Sequence, residues 1–291
     1  MKRFQIIPIL AALGLVAASC SVKEKRNLCL APVTVRINDL EVSQENFPGT
    51  KAVQDVSDYS GIKAITLAFY GVDGYEQYKA TQLREDTSTY TTFGEFTCSI
   101  PIGSYTMVAV GYGSTSEINL SSATSASYSD QIRDTFTAVQ EVSVSSTAPL
   151  DLTETLGRIT SKLAIRSTDG RSSGITRIRA SFSAGGQGFN PSTGLATSNS
   201  GFSNIMTPSS AVGAPIDIGS FLFLSADEQE IDVTIEALDE DDNVLFTKSV
   251  SNVPFKRNRI TLLSGPVFSA AASSAGFRVE KDWIPYITVD L

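Results

Sequence analysis

The side chains that most often carry chemistry are scarce in this chain, and their absence excludes whole reaction classes. The 291 residues include no histidine. That rules out a Ser–His–Asp triad, a Cys–His pair and any histidine-ligated zinc or haem site. Carboxylates crowd together at Asp239-Glu240-Asp241-Asp242-Asn243. Clustered carboxylates suit calcium, but the spacing of an EF-hand loop is missing, and a solvated hairpin turn accounts for the run. The stretch Ala184 to Gly188 (AGGQG) follows no βαβ unit and so is not a dinucleotide loop. Glycoside hydrolysis needs two facing carboxylates, and nothing in the pattern brings two together. Tyr75, Tyr78, Tyr90 and Tyr112 could stack on sugars, although core packing and hairpin surface explain them equally well. The expectation is a protein that is not an enzyme, with no catalytic residues, no metal site and no cofactor.

One cysteine stands where a modification is expected. Lys2 and Arg3 form a positive start, Ile6 to Val16 a short apolar run, and Ala17, Ala18 and Ser19 the small residues that a signal peptidase requires. The apolar run is too short to span a bilayer. Cys20 follows at once, so residues 1–19 resemble the signal of a bacterial lipoprotein, with Cys20 as the acylated residue and new N-terminus. Position −3 is Ala17, where leucine is the more usual residue. Acyl chains contribute about 0.8 kcal/mol per buried CH₂, so several of them hold a protein durably to a membrane. Residues 20–31 then form a lipidated polar tether. Cys29 and Cys98 remain. Export places them in an oxidising compartment, where a Cys29–Cys98 disulfide and two buried thiols are both open alternatives.

The formal charge is −8, and removing Lys2 and Arg3 leaves 21 basic against 31 acidic residues, or −10. Such a chain is a poor partner for nucleic acid. It also repels anionic surfaces, so attachment to a membrane needs another cause, which the lipid supplies.

The segments that would position any site are strands. Pro32–Asn38 alternates, with Val33, Val35 and Ile37 on one face. Residues 43–61 are polar and predict a loop. Ile65, Leu67 and Phe69 share a face of the next strand, and Asp73-Gly74 predicts a hairpin turn. Tyr90–Ile100 and Tyr105–Tyr112 follow, separated by the turn Pro101-Ile102-Gly103-Ser104. Residues 113–130, rich in Ser, Thr and Ala, predict a long connection, and Asp130–Ala138 one or two helical turns. Pro149–Leu156 opens a new unit, whose strands include Arg158–Arg166, Ile175–Ser183, Ile216–Leu224, Ile231–Ala237 and Val244–Val250. Between them, 184–215 is the longest loop-like stretch. Many short strands with regular turns predict an all-β chain with two β-sandwich domains in tandem. The expected divisions are 1–19, 20–31, 32–149 and 150–291.

In their order, these pieces resemble the fimbrillin family of type V pili, the lipoprotein precursors of fimbrial subunits and fimbrillin-like cell adhesion proteins. The likeness comprises the signal with Cys20, a first strand near residue 33, IKAITLAFYGVDGYE (62–76) and the Ile100 to Tyr105 turn leading into TMVAVGYG. It continues with LGRITSKLAI (156–165), FKRNRITLLSG (255–265) and a terminal strand containing Trp283. The resemblance implies two transthyretin-like sandwiches and assembly by donor-strand exchange, in which a protease cuts past the first strand and a neighbour's strand fills the vacated groove. Here the leaving strand would supply Val33, Val35 and Ile37. The C-terminal segment, with Ile287, Val289 and Leu291 alternating, would be the donor, or else a strand paired within its own domain. The family cut follows arginine. In this chain Arg36 lies inside the strand and only Lys51 lies in the loop beyond it, which departs from the pattern. A Cys29–Cys98 bond would hold the first strand in place and favour an anchor over a stalk subunit.

The expected function is therefore a structural or adhesive subunit of a cell-surface fimbrium, as anchor or minor subunit. The protein would be lipid-anchored and exposed at the cell outer membrane, with other pilus subunits, of its own kind or paralogous, as partners. The alternative is a monomeric surface lipoprotein that binds a host glycan or protein through loops 113–130 and 184–215.

Overall fold

The computed structural model describes residues 29–43, 51–269 and 278–284. Among them there is no helix, and every regular element is a strand, because the alternating patterns are rich in Val, Ile, Thr and aromatic residues that fit a pleated, half-buried surface. In chain order the strands are β1 (Leu30–Ser43), β2 (Lys51–Asp55), β3 (Ala64–Gly71), β4 (Glu76–Leu83), β5 (Glu95–Pro101), β6 (Gly103–Tyr112), β7 (Asn119–Ser122), β8 (Ser125–Ser127), β9 (Thr135–Val144) and β10 (Leu150–Arg158). There follow β11 (Ser161–Ser167), β12 (Arg177–Phe182), β13 (Gly188–Phe189), β14 (Phe202–Met206), β15 (Asp217–Leu222), β16 (Glu228–Leu238), β17 (Val244–Lys256), β18 (Ile260–Gly265) and β19 (Arg278–Ile284).

The first sandwich is one eight-stranded sheet in the order β2-β1-β10-β9-β6-β3-β4, with β5 also paired to β1. Its inner faces enclose a core to which β1 gives Val33, Val35 and Ile37, β3 gives Ile65, Leu67 and Phe69, and β5 gives Phe96 and Ile100. The second sandwich packs the sheet β15-β11-β18-β19 against β14-β12-β16-β17. Its core starts at Leu163 and includes Ile178, Phe182, Val233, Ile235 and Phe255. A new strand does begin at Leu150, beside the expected boundary. Yet β10 runs in the first sheet, parallel to β1 and antiparallel to β9.

Three further segments differ from expectation. Residues 43–61 contain β2, and 113–130 contain β7 and β8. The stretch expected to hold helical turns is instead irregular to Asp134 and then the strand β9. With β13, drawn from the 184–215 stretch, β7 and β8 build a small third sheet. Leu120, Ala126 and Phe189 from that sheet cover the outer face of β3 and β6, where Ala64, Ala68, Val108 and Val110 lie. Both faces of β3 are thus buried, which explains why its residues are apolar on both faces apart from Thr66.

Candidate functional site: the slot of the opening strand

The local sequence of β1 explains its place. Ala31, Val33, Val35 and Ile37 alternate inward and are sealed from solvent, while Pro32 and Asn38 face out. A register shift between Ile37 and Asp39 then changes the parity, so the next inward residue is Leu40. At the shift the chain opposite comes very close. Ile37 N–H donates to Gly94 O at 2.9 Å. Gly94 has φ +92°, and a Cβ there would lie 2.6 Å from Ile37 O, so only glycine fits.

β1 has neighbours on both sides. Its first half lies between β5, antiparallel with Val33 opposite Cys98, and β10, parallel with Val35 opposite Leu152. Its second half lies between β10 and the antiparallel β2, with Leu40 opposite Gln54. On the outer surface Arg36 reaches across both seams, 3.3 Å from Glu95 on β5 and 3.0 Å from Asp151 on β10. Withdrawing β1 would leave an apolar trench with unpaired backbone along both walls.

The expected site residues divide sharply. Val33, Val35 and Ile37 come together as the inward face of β1, which fills one slot. Arg36 sits mid-strand in its ion pairs, and Lys51 begins β2, opposite Ser43. Cys20, Ile287, Val289 and Leu291 lie outside the described residues. The disulfide alternative is corrected: both thiols are free, Cys29 exposed and Cys98 buried. Cys98 pairs with Val33, whereas the carbonyl of Cys29 accepts from Ile102 N–H at the end of the ladder. Four residues of strand separate the two positions, roughly 13 Å at about 3.3 Å per residue, well beyond the ~7 Å limit between bridged Cα atoms. Burial pushes the Cys98 thiol up to about 11.

Sequence reasoning missed a second feature, a buried polar node where the two sandwiches meet. The Arg158 side chain is 0% exposed, and its Nε lies 2.9 Å from Asp134 Oδ1. Its Nη2 donates to Asp134 Oδ2 at 3.1 Å and to Tyr59 Oη at 2.8 Å, while Tyr59 O–H donates to Asp134 Oδ2 at 2.7 Å. Thr160 O–H donates to Asp134 Oδ1, and the guanidinium lies over the Phe136 ring at 4.5 Å. Burial, with Asp134 beside it, holds the Tyr59 phenol well above its usual range. From the second sandwich, Asn258 accepts from Arg158 Nη1 at 3.3 Å and donates its N–H to Thr160 O at 2.8 Å, in a left-handed conformation with φ 59°. Asn258 of the FKRNRITLLSG stretch therefore belongs to the junction.

The other chemical candidates resolve simply. Asp239 accepts from Asp241 N–H, Asn243 N–H and Asn243 Nδ2, so the acidic run is a hairpin turn closed on itself. Among the described residues no cluster of metal-ligating side chains occurs. Tyr112 is sealed in the core under the third sheet, and Tyr90 packs on Phe93 and donates to Arg84 O.

Fold and slot together define a tandem of β-sandwiches whose first unit is completed by an internal strand, the first of the described strands, paired along both of its sides. The chain belongs to DUF6562, a family of unknown function, and the match covers residues 113–283. A search of the curated proteins gives no match. Among solved structures, a candidate adhesin from Bacteroides ovatus is 10% identical and aligns over 88% of this chain and 96% of its own, with a TM-score of 0.51. A candidate cell adhesion protein from the same species is 14% identical over 89% of this chain and 99% of its own, at 0.48. The fimbrial anchor protein Mfa2 from Porphyromonas gingivalis is 10% identical over 86% and 94%, at 0.47. The first of these shares the all-β tandem fold along nearly its whole length.

Proposed function

We propose that this protein is a non-enzymatic, lipid-anchored subunit of a cell-surface fimbrium, of the fimbrillin kind, that keeps its opening strand and serves as an anchor or minor subunit. The observation that carries the reading is the burial of Ala31, Val33, Val35, Ile37 and Leu40 between two flanking strands. The first described strand, paired along both sides within the sheet, is an arrangement suited to strand exchange, because one extended peptide can leave it and another can take its place. Retention is supported by the basic residues. Arg36 and Lys51, the candidate cut sites, both lie in paired strands, and the sequence between them contains no Lys or Arg. A protease that needs an extended, accessible basic residue meets none in a loop there. Cys20 then stays joined to the folded body, which is what an anchor needs and a released stalk subunit does not. The C-terminal segment with Ile287, Val289 and Leu291 is the part that can enter a neighbour, and the outer membrane is the place of action.

N-terminal sequencing of the protein recovered from the cell surface tests this. A start at a blocked Cys20, in fibres that resist mild heating in detergent, is the expected result. A start beyond residue 37 would make the protein a polymerising stalk subunit, and a monomer absent from fibres would overturn the fimbrial reading. The alternative of ligand capture by free loops draws no support from geometry, since 113–130 and 184–215 supply the strands of the third sheet and pack on the first sandwich.

A further inference from the structure

The exposed large apolar side chains of the first sandwich are not scattered. Leu30, Val72, Tyr75 and Ile102 are 49%, 90%, 72% and 44% exposed, and all four lie on one rim; a fifth, Val53, lies elsewhere. The register shows the shared rim. Gly71, before Val72, pairs with Tyr105, Leu30 pairs with Pro101, before Ile102, and Gly103 pairs with Val144. The opposite rim of the same sandwich carries Tyr59, Asp134 and Arg158 and joins the second sandwich. The apolar rim is thus one end of the molecule, and it is also the end where the chain arrives from Cys20.

We infer that this rim rests on the bilayer that holds the lipid, so that the protein stands with its first sandwich on the membrane and its second held away. The inference rests on the reading of Cys20 as acylated, and it adds an orientation that acylation alone does not supply. Nine residues from Cys20 to Cys29 reach roughly 30 Å at most, so the lipid cannot lie far from the rim where that segment ends. An aliphatic tip beside a tyrosine suits the boundary between headgroups and acyl chains, where an aromatic ring can be half buried and its hydroxyl wet. Charge decides which end faces the membrane. The far end of the molecule also exposes Val244 and Leu245, but these adjoin the Asp239 to Asp242 turn, which an anionic or zwitterionic surface does not welcome. The hairpin on the near rim carries only two carboxylates, Asp73 and Glu76, and Asp73 accepts from Tyr75 N–H within the turn. The fitting partner is a zwitterionic phospholipid surface.

The test uses the full acylated chain in phosphatidylcholine–phosphatidylethanolamine vesicles that contain a lipid-borne quencher. With Cys29→Ser and Cys98→Ala as background, an environment-sensitive fluorophore is placed through Val72→Cys, Ile102→Cys or, at the far end, Val244→Cys. The labels at 72 and 102 should be quenched severalfold more than the label at 244. Equal quenching at all three, or none at any, would overturn the inference. Blue shifts at 72 and 102 that depend on protein concentration and not on the quencher would also overturn it, by assigning the rim to a second copy of the chain. If mass spectrometry finds Cys20 unmodified, the acylation reading fails by itself. The rim is then tested on the chain from residue 21, held by an N-terminal hexahistidine on nickel-chelating lipid in the same vesicles, with the same two outcomes. The triple variant Val72→Asp/Tyr75→Asp/Ile102→Asp, altered only at solvent-facing tips, should keep its melting behaviour and lose the selective quenching of a label at Leu30→Cys.

Discussion

The chain's first and last described strands occupy opposite kinds of position. β1 lies inside a sheet with a partner along each side, whereas β19 lies at the edge of its sheet and pairs with β18 alone. Removing an edge strand shortens a sheet. Removing an internal one divides it, and here the division also empties a core of Val33, Val35 and Ile37. The first sandwich therefore depends on one extended segment that enters from its end and is held by backbone ladders and alternate buried side chains, contacts that another extended segment could reproduce.

The largest effect should come from taking β1 away. A chain beginning at Gln44 is expected to lose cooperative unfolding of its first half, while one ending at Ser269, without β19, should keep both transitions. A synthetic peptide of residues 29–43 should restore the first. Cys98 reports the same event, because it lines the slot opposite Val33. Burial raises its thiol from 9.0 to about 11, which at pH 8 lowers the thiolate fraction about a hundredfold. Iodoacetamide should therefore label Cys29 in the intact chain and leave Cys98 untouched until β1 is withdrawn. Equal labelling of both thiols in the intact chain would break the comparison at its root.

Next in size is the node between the sandwiches. Arg158→Met leaves Asp134 buried without its cation, which should cost about 3–5 kcal/mol in denaturant unfolding. The double variant Arg158→Met/Asp134→Leu should recover much of that loss, since an apolar pair of similar volume replaces the ions. Ile37→Ala comes beside it, at about 2–5 kcal/mol, because Ile37 is sealed within the first core and its truncation leaves a cavity there. If Ile37→Ala costs no more than the same change at the exposed Ile205, the slot is not the packed centre described above.

Some of this was legible in the sequence, and some was not. Val33, Val35 and Ile37, like Ile65, Leu67 and Phe69, announce themselves because a pleated strand turns alternate side chains to one face and only one face is greasy. The pattern of β1 stops at Asn38 because the shift there changes parity, so the sequence shows about half of a 14-residue strand. The allegiance of β10 is invisible for another reason. Its pairing with β1 is parallel and spans more than a hundred residues of chain, and nothing local in Leu150–Arg158 records which sheet it joins. The Ser-rich and Gly-rich stretches that form β7, β8 and β13 look like loops because so few of their residues are buried, yet Leu120, Ala126 and Phe189 suffice to seal the outer face of β3 and β6. Arg158 carried no signal, since an arginine in a strand is ordinarily solvated and its burial depends on three partners distant in sequence.

The smallest effect sharpens the comparison most finely. Arg36 spans β5, β1 and β10 on the outer surface, and it is the side chain that ties the opening strand to both of its walls by charge. Its pairs are solvent-exposed, so salt screens them and the entropy of holding long side chains offsets them. Arg36→Gln should therefore shift stability less than any change named above, and the difference from the parent should vanish at high salt. What it should alter is the rate at which β1 opens. At low salt, labelling of Cys98 should become faster in Arg36→Gln than in the parent, with labelling of Cys29 unchanged. A parent and variant that label Cys98 alike at every salt concentration would show that backbone pairing and the buried face alone retain the strand, and that the ion pairs across the seams are incidental.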